Sequence, residues 1–296
     1  MSNNFFDTIK STFNKGNVLM KFIFINVAVF LSIHAVGVVA TLFQLESLNP
    51  LPFLAVPSDL NMLLIRFWTL LTYMFVHVGF MHILFNMLWL YWFGKIFLSY
   101  FNDRTLGSLY VIGGLAGALL YILAFNTIPY YLGLGHGVMI GASASVMAVV
   151  MAAAFYRPEA TLNLFLFGRV KIIYIALIVF VIDFFSLGNG DNPGGHVAHI
   201  GGAIVGYLFA TQYKKGKDFT LPISRFLDKI ANLFKKRKHK GAHKVVYKRK
   251  ETDYDYNYRK TQESKNIDAI LDKLKESGYN SLNSEEKRQL FDAGDK

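Results

Sequence analysis

The sequence predicts an all-α, polytopic membrane protein, and three observations carry that prediction. Of 296 residues, 53% are hydrophobic, above the roughly 45–50% of ordinary soluble domains. The apolar residues are gathered into long blocks, and about 20 of them are enough to carry a helix across the hydrocarbon core. The basic residues between blocks fall in alternate connections. Helices are the required form, because lipid offers no water to an unpaired backbone group.

Six blocks read as spans: Leu19–Phe43, Phe80–Tyr100, Thr105–Phe125, Val138–Phe155, Ile172–Ser186 and Val197–Tyr213. The fifth is short and is expected to extend back into Leu164–Val170. Lys10, Lys15 and Lys21 precede the first span, and Lys95 and Arg104 flank the second connection. Arg157, Arg169 and Lys171 lie in the fourth connection, and Lys214, Lys215 and Lys217 follow the last span. The third (Asn126–Gly137) and fifth (Leu187–His196) connections have no Lys or Arg, and the first (Gln44–Gly79) has only Arg66. Basic connections stay in the cytoplasm. Both termini are therefore expected there, with residues 1–18 as a cytoplasmic segment and 19–213 as the membrane domain. No cleavable signal peptide is evident: Asn3–Asn17 is polar, and the first block is too long for a signal h-region. The first outer connection is too apolar for a free loop and is interrupted by Pro52 and Pro57. It reads as an interfacial element with Trp68 and Tyr73 at headgroup level, the alternative being a seventh, poorly formed span.

The formal charge of +11 is concentrated beyond the last span. Residues 214–250 hold 14 Lys or Arg against only Asp218 and Asp228. Within them, Phe219–Phe234 carries Ile223, Phe226, Leu227, Ile230 and Phe234 at helical spacing. A basic amphipathic helix next to a span points to anionic lipid rather than nucleic acid. Glu251–Gln262 is polar and expected to be flexible. The rest of 251–296 reads as a small helical hairpin, with Gly278 ending its first helix and Asn283 or Ser284 capping its second. Ile267, Ile270, Leu271, Leu274, Leu282 and Leu290 supply a minimal core. The chain has no cysteine, which excludes disulfides, thiolate metal sites and a cysteine nucleophile.

Two polar residues stand out near the outer ends of spans four and six. Ser143 lies about one turn inside the fourth block, and His199 lies near the start of the sixth. A polar group in hydrocarbon is costly and marks a functional site by default; serine and histidine at matching depth suggest a nucleophile and its general base. Gly202-A-I-V-Gly206 is a small-xxx-small pattern that lets span six approach a neighbour closely. His82 and Asn86 are four residues apart and share a helix face. Ser145 is the rival nucleophile, turned to another face and read as small packing. His77 is read as structural, Asp183 as a structural hydrogen-bonding group, and His34, His136 and His196 have no partner pattern. A zinc set of His77, His82 and His199 is disfavoured, since no H-E-x-x-H motif or acidic base accompanies it.

The motif G-A-S-A (Gly141–Ala144) resembles the G-x-S-G nucleophile motif of rhomboid intramembrane serine proteases. A-H-I-G-G (Ala198–Gly202) resembles the motif around that family's catalytic histidine. H-V-G-F-M-H-I-L-F-N (His77–Asn86) is similar to its H-x-x-x-x-H-x-x-x-N pattern. The resemblance covers roughly Leu19 to Tyr213 and implies a six-helix rhomboid-like bundle. By it, Ser143 is the nucleophile, His199 the base, and His82 and Asn86 help to stabilise the oxyanion, with backbone groups near Gly141 adding to that hole. It also implies no metal and no cofactor. Two departures are visible: Ala144 stands where the family has a second glycine, and Arg66 and Trp68 are separated by Phe67 where the family often has Trp-Arg.

The function expected is hydrolysis of a peptide bond in a transmembrane protein substrate near the outer interface, through an acyl-enzyme, in a bacterial inner membrane. The rivals are an inactive rhomboid-like module that binds membrane proteins and, with less support, a transporter. A transporter would call for a paired intramembrane carboxylate or an evident repeat.

Overall fold

The computed structural model describes residues 16–45, 48–164, 168–188, 192–234 and 253–294. The basic run at 235–250 and most of the segment 1–18, expected to be cytoplasmic, lie outside the described residues. The chain divides into two units, Met1–Lys235 and Lys236–Lys296.

The first unit opens with α1 (Val18–Leu42), whose first turn is capped by Asn17: its Oδ1 accepts the Met20 N–H at 3.0 Å. The connection that follows α1 is a series of short pieces. These are α2 (Leu51–Leu54), β1 (Val56–Pro57), α3 (Leu60–Ile65), α4 (Thr69–Thr72) and a 3-10 turn, Tyr73–Phe75. Then come α5 (Phe80–Leu98), α6 (Asp103–Thr127), α7 (Pro129–Gly133), β2 (Val138–Met139) and α8 (Ser143–Tyr156). A hairpin of β3 (Thr161–Leu164) and β4 (Gly168–Lys171) leads to α9 (Ile172–Phe185), α10 (Pro193–Lys214) and α11 (Leu221–Phe234). Among the described residues, α1, α5 and α6 are long and apolar enough to cross a membrane, and α8 and α9 are shorter apolar helices of 14 residues each.

Three expectations are corrected. The fourth block is not one helix: Val138 and Met139 pair antiparallel with Pro57 and Val56. Gly141 then takes φ +120, a conformation open to glycine and rarely to other residues, so the helix starts only at Ser143. Ser143 is thus a helix N-terminal residue and not one turn inside a span. The fifth block does not extend back as helix, because Thr161–Leu164 and Gly168–Lys171 form a hairpin with Asn163 opposite Arg169, and α9 begins at Ile172. Tyr73, expected beside Trp68 at the interface, is 1% exposed, and its hydroxyl donates to the Gly114 carbonyl at 2.6 Å. Finally, Glu251–Gln262 is helical from Asp253 onward.

The connection between α1 and α5 is held down by bonds that side chains make to its backbone. The Arg66 guanidinium donates to the Pro52 carbonyl at 2.7 Å, the Trp68 indole to Phe53 at 2.9 Å and the Thr72 hydroxyl to Leu54 at 2.8 Å. Tyr110 on α6 donates to the Met74 carbonyl at 2.9 Å.

Helix α8 sits at the centre, with every residue from Ala144 to Ala154 buried against α5, α6, α9 and α10. In hydrocarbon, apolar burial by itself does not favour association, and close fit decides which helices meet. Glycines provide that fit. A Cβ on Gly202 would collide with the Ala144 carbonyl oxygen, and one on Gly206 with that of Ala148. On α6, a Cβ at Gly117 would lie 2.5 Å from the Ala144 side chain, and one at Gly113 would collide with Ala148. Helix α11 belongs to this unit: Arg104 pairs with Asp228 at 3.5 Å, and the Phe209 and Phe219 rings stand edge-on at 6.0 Å.

The second unit is α12 (Asp253–Ser277), a 3-10 turn at Tyr279–Ser281 and α13 (Ser284–Gly294). Gly278 at φ +77 ends α12. Asn283 and Glu286 cap α13 reciprocally: each side chain accepts the other's backbone N–H at 2.8 Å, the capping-box arrangement.

Candidate active site

The turn before α8 is fixed from two sides. The Gly141 N–H donates to the Tyr73 carbonyl at 2.9 Å, and the Ala142 N–H to His77 Nε2 at 3.3 Å. His77 is fully buried. Burial, aided by the neighbouring His82, pushes its pKa down to about 3, so the ring is neutral. With Nε2 accepting, the proton sits on Nδ1. His77 therefore braces the turn that presents Ser143.

These bonds change what Gly141 contributes. Its N–H is already committed to Tyr73, so it is not a donor toward a reacting oxygen. What matters is its missing side chain: a Cβ there would stand 2.8 Å from His82 Cε1 and 2.9 Å from Nε2, with Ser143 Oγ 3.7 Å away. His82 and Ser143 thus flank the same point in space, and glycine keeps that point open.

Asn86 lies one turn along α5 from His82, where its Nδ2 donates to the His82 carbonyl at 2.8 Å. Asn86, Ser143, Asp183 and His199 line one cavity of about 200 Å³, walled by Phe85, Trp89 and Val179 among others. His82 lines a second, larger cavity of about 510 Å³ with Tyr121, the β2 residues and the start of α10. The four residues singled out from sequence are therefore brought to one region by α5, α8 and α10. Ser145 is 1% exposed and lies against α6, its Oγ 2.6 Å from where a Gly114 Cβ would stand.

Two residues around His199 carry more than the sequence suggested. Asp183 Oδ1 is 2.8 Å from His199 Nδ1 and also 2.8 Å from His196 Nδ1. Asp183 is the one charged residue of α9 and is 4% exposed. It shares the inward face of that helix with Ile172 and Ala176, while Ile178, Ile182 and Phe185 point outward. A buried charge needs a partner, and H-x-x-H places two imidazoles on one helix face. Those two signals mark Asp183 and His196 as candidates in the sequence, without showing that they meet. Asp183, His196 and His199 also present ligand atoms within 4.8 Å of one another, so among the described residues they could hold a metal ion. This is a different set from the His77, His82 and His199 considered from sequence. Direct hydrogen bonding already satisfies both Nδ1–H groups.

A membrane-embedded helical bundle with a largely apolar cavity that holds Asn86, Ser143, Asp183 and His199 at a central helix N-terminus is the class that fold and site define. The chain belongs to the rhomboid family: the Rhomboid domain model matches residues 65–215. A second model, a family of unknown function (DUF6576), matches residues 250–292. Similar proteins from Arabidopsis thaliana include RHOMBOID-like protein 12, mitochondrial, 29% identical over 161 residues, which are 51% of this chain and 48% of that protein. RHOMBOID-like protein 4 is 30% identical over 142 residues, 48% of this chain and 32% of its own length. RHOMBOID-like protein 5 is 28% identical over 144 residues, 48% and 42% respectively. The chain spans half or less of the length of these relatives.

Proposed function

We propose that the chain is a six-span intramembrane serine protease that cleaves transmembrane protein substrates near the outer interface. The observation that carries the reading is the shared cavity of Ser143, His199 and Asn86, opening at the N-terminus of a buried helix. In the mechanism, Ser143 Oγ attacks the scissile carbonyl carbon while His199 Nε2 takes its proton. The carbonyl oxygen becomes an oxyanion, and His82, Asn86 and the first-turn N–H of Ser143 act as its donors. His199 then returns the proton to the leaving amine. Water, activated by the same imidazole, releases the acyl group from Ser143.

A scissile bond held inside a helix is inaccessible, so substrates with helix-weakening Gly or Pro near the cut, and a small residue before it, fit the reading. Basic connections on one side support cytoplasmic termini, in a bacterial inner membrane. The basic stretch 214–250 supports contact with anionic lipid.

The test is a serine-directed fluorophosphonate probe applied to membranes holding wild type or Ser143→Ala, together with cleavage of a transmembrane reporter. Labelling and cleavage by wild type alone are expected. A wild type that neither labels nor cleaves, yet captures membrane proteins, would make the chain an inactive binding module.

A further inference from the structure

We infer that Asp183 and His196 are positioning residues that set the tautomer and orientation of the base, His199. This deepens the protease reading and rests on it.

Both hydrogen bonds converge on one atom, Asp183 Oδ1, at 2.8 Å each. A carboxylate only accepts, so both Nδ1 atoms carry protons. A neutral imidazole protonated on Nδ1 has Nε2 as its free acceptor. That is the form a base must take to receive the Ser143 proton. The opposite tautomer would present an N–H to the nucleophile and could not act.

His196 has a separate part. It precedes His199 by one turn on α10, and the two rings stand edge-on with centroids 6.1 Å apart. Its Nδ1–H pins Oδ1 from a second direction, so the carboxylate cannot swing its other oxygen toward His199. Among the described residues, Asp183 Oδ2 is buried without a hydrogen-bond partner. A carboxylate placed only to tie α9 to α10 would be expected to use both oxygens. Here the whole interaction falls on the oxygen that meets the base. A charge in an apolar helix is unfavourable, and holding the base in one tautomer gives this one a chemical use.

The experiment uses the full-length chain in lipid nanodiscs. Asp183→Asn keeps size and shape and is expected to lower kcat on the order of 10²-fold or more, with KM held within about twofold, as loss of the correct tautomer does in other serine proteases. His196→Ala removes one neutral hydrogen bond and is expected to lower kcat about 3- to 10-fold. His196→Asn, which keeps an N–H donor near the same position, is expected to restore it. Nitrogen-15 NMR of histidine-labelled Ser143→Ala protein reads the tautomer without turnover. His199 is expected as Nδ1–H with Asp183 present and as a mixture in Asp183→Asn. Wild-type kcat in a folded Asp183→Asn protein, or an unchanged His199 tautomer, would overturn the assignment. So would loss of wild-type labelling on EDTA treatment, which would make the cluster a metal site. If wild type neither labels nor cleaves, the protease reading fails, and the NMR measurement still decides the network.

Discussion

Helices α1 and α6 are both 25 residues long, and both are apolar enough to cross a membrane, yet 6% of the most apolar stretch of α1 is buried against 61% of that of α6. Hydropathy does not separate them. Glycine does. Gly107, Gly113, Gly114 and Gly117 lie along α6, and the last three would each drive a Cβ to within about contact-forbidding distance of α8 or Met74. The one glycine of α1, Gly37, has nothing within 4 Å of its Cβ position. Apolarity inserts a helix into lipid, whereas small residues determine which helix another can touch. The candidate site lies where such contact is closest, between α8 and α10.

The largest effect tests the site itself. Ser143→Ala and His199→Ala are each expected to lower kcat by about 10⁴-fold or more, and the double variant to be no worse than either, because residues acting as a unit are not additive. Turnover of a transmembrane reporter by the inserted variants measures this. Substantial activity in Ser143→Ala would sink the pairing, and loss only in Ser145→Ala would move the nucleophile.

Next comes the packing. Gly202→Val would force α10 away from the Ala144 carbonyl and carry His199 with it. A displacement of about 1 Å can cost on the order of 10²-fold in rate, and overpacking costs about 1–3 kcal/mol in stability. Gly37→Val on α1 is the matched control, expected to stay within about 0.5 kcal/mol of wild type with unchanged activity. Equal effects of the two on activity and on thermal unfolding in detergent would remove the contrast between the helices.

A comparable or smaller loss is expected at the proposed oxyanion donors. Asn86→Ala or His82→Ala should reduce kcat by about 10²-fold with KM little changed, since such donors act mainly in the transition state. A change in KM alone would make the residue a substrate contact.

The smallest effect on catalysis lies in the tail. Truncation after Phe234 leaves α11 and its Arg104–Asp228 pair in place and is expected to spare cleavage. A peptide of residues 219–250 should bind anionic vesicles, each basic residue near the surface adding about 1 kcal/mol, and release as salt rises. Binding to neutral vesicles of equal strength would remove the electrostatic part.

The sequence by itself determined that the chain is a helical membrane protein. It also singled out Ser143, His199, His82 and Asn86, because polar groups within apolar blocks are conspicuous and the motifs have fixed spacing. Helix limits were legible to within a few residues for α1, α5 and α6. The block Ile172–Ser186 also matches α9. The misses were the start of α8, delayed by Gly141 at φ +120, and the expected backward extension of α9, where a hairpin stands instead; neither cause is periodic. Only the tertiary structure decided which polar groups meet. Asp183 and His196 looked unrelated in the chain, since one ends an apolar helix and the other begins the next. Their convergence on a single oxygen at 2.8 Å depends on how α9 leans on α10, a matter of side-chain fit between helices that no spacing along one helix encodes.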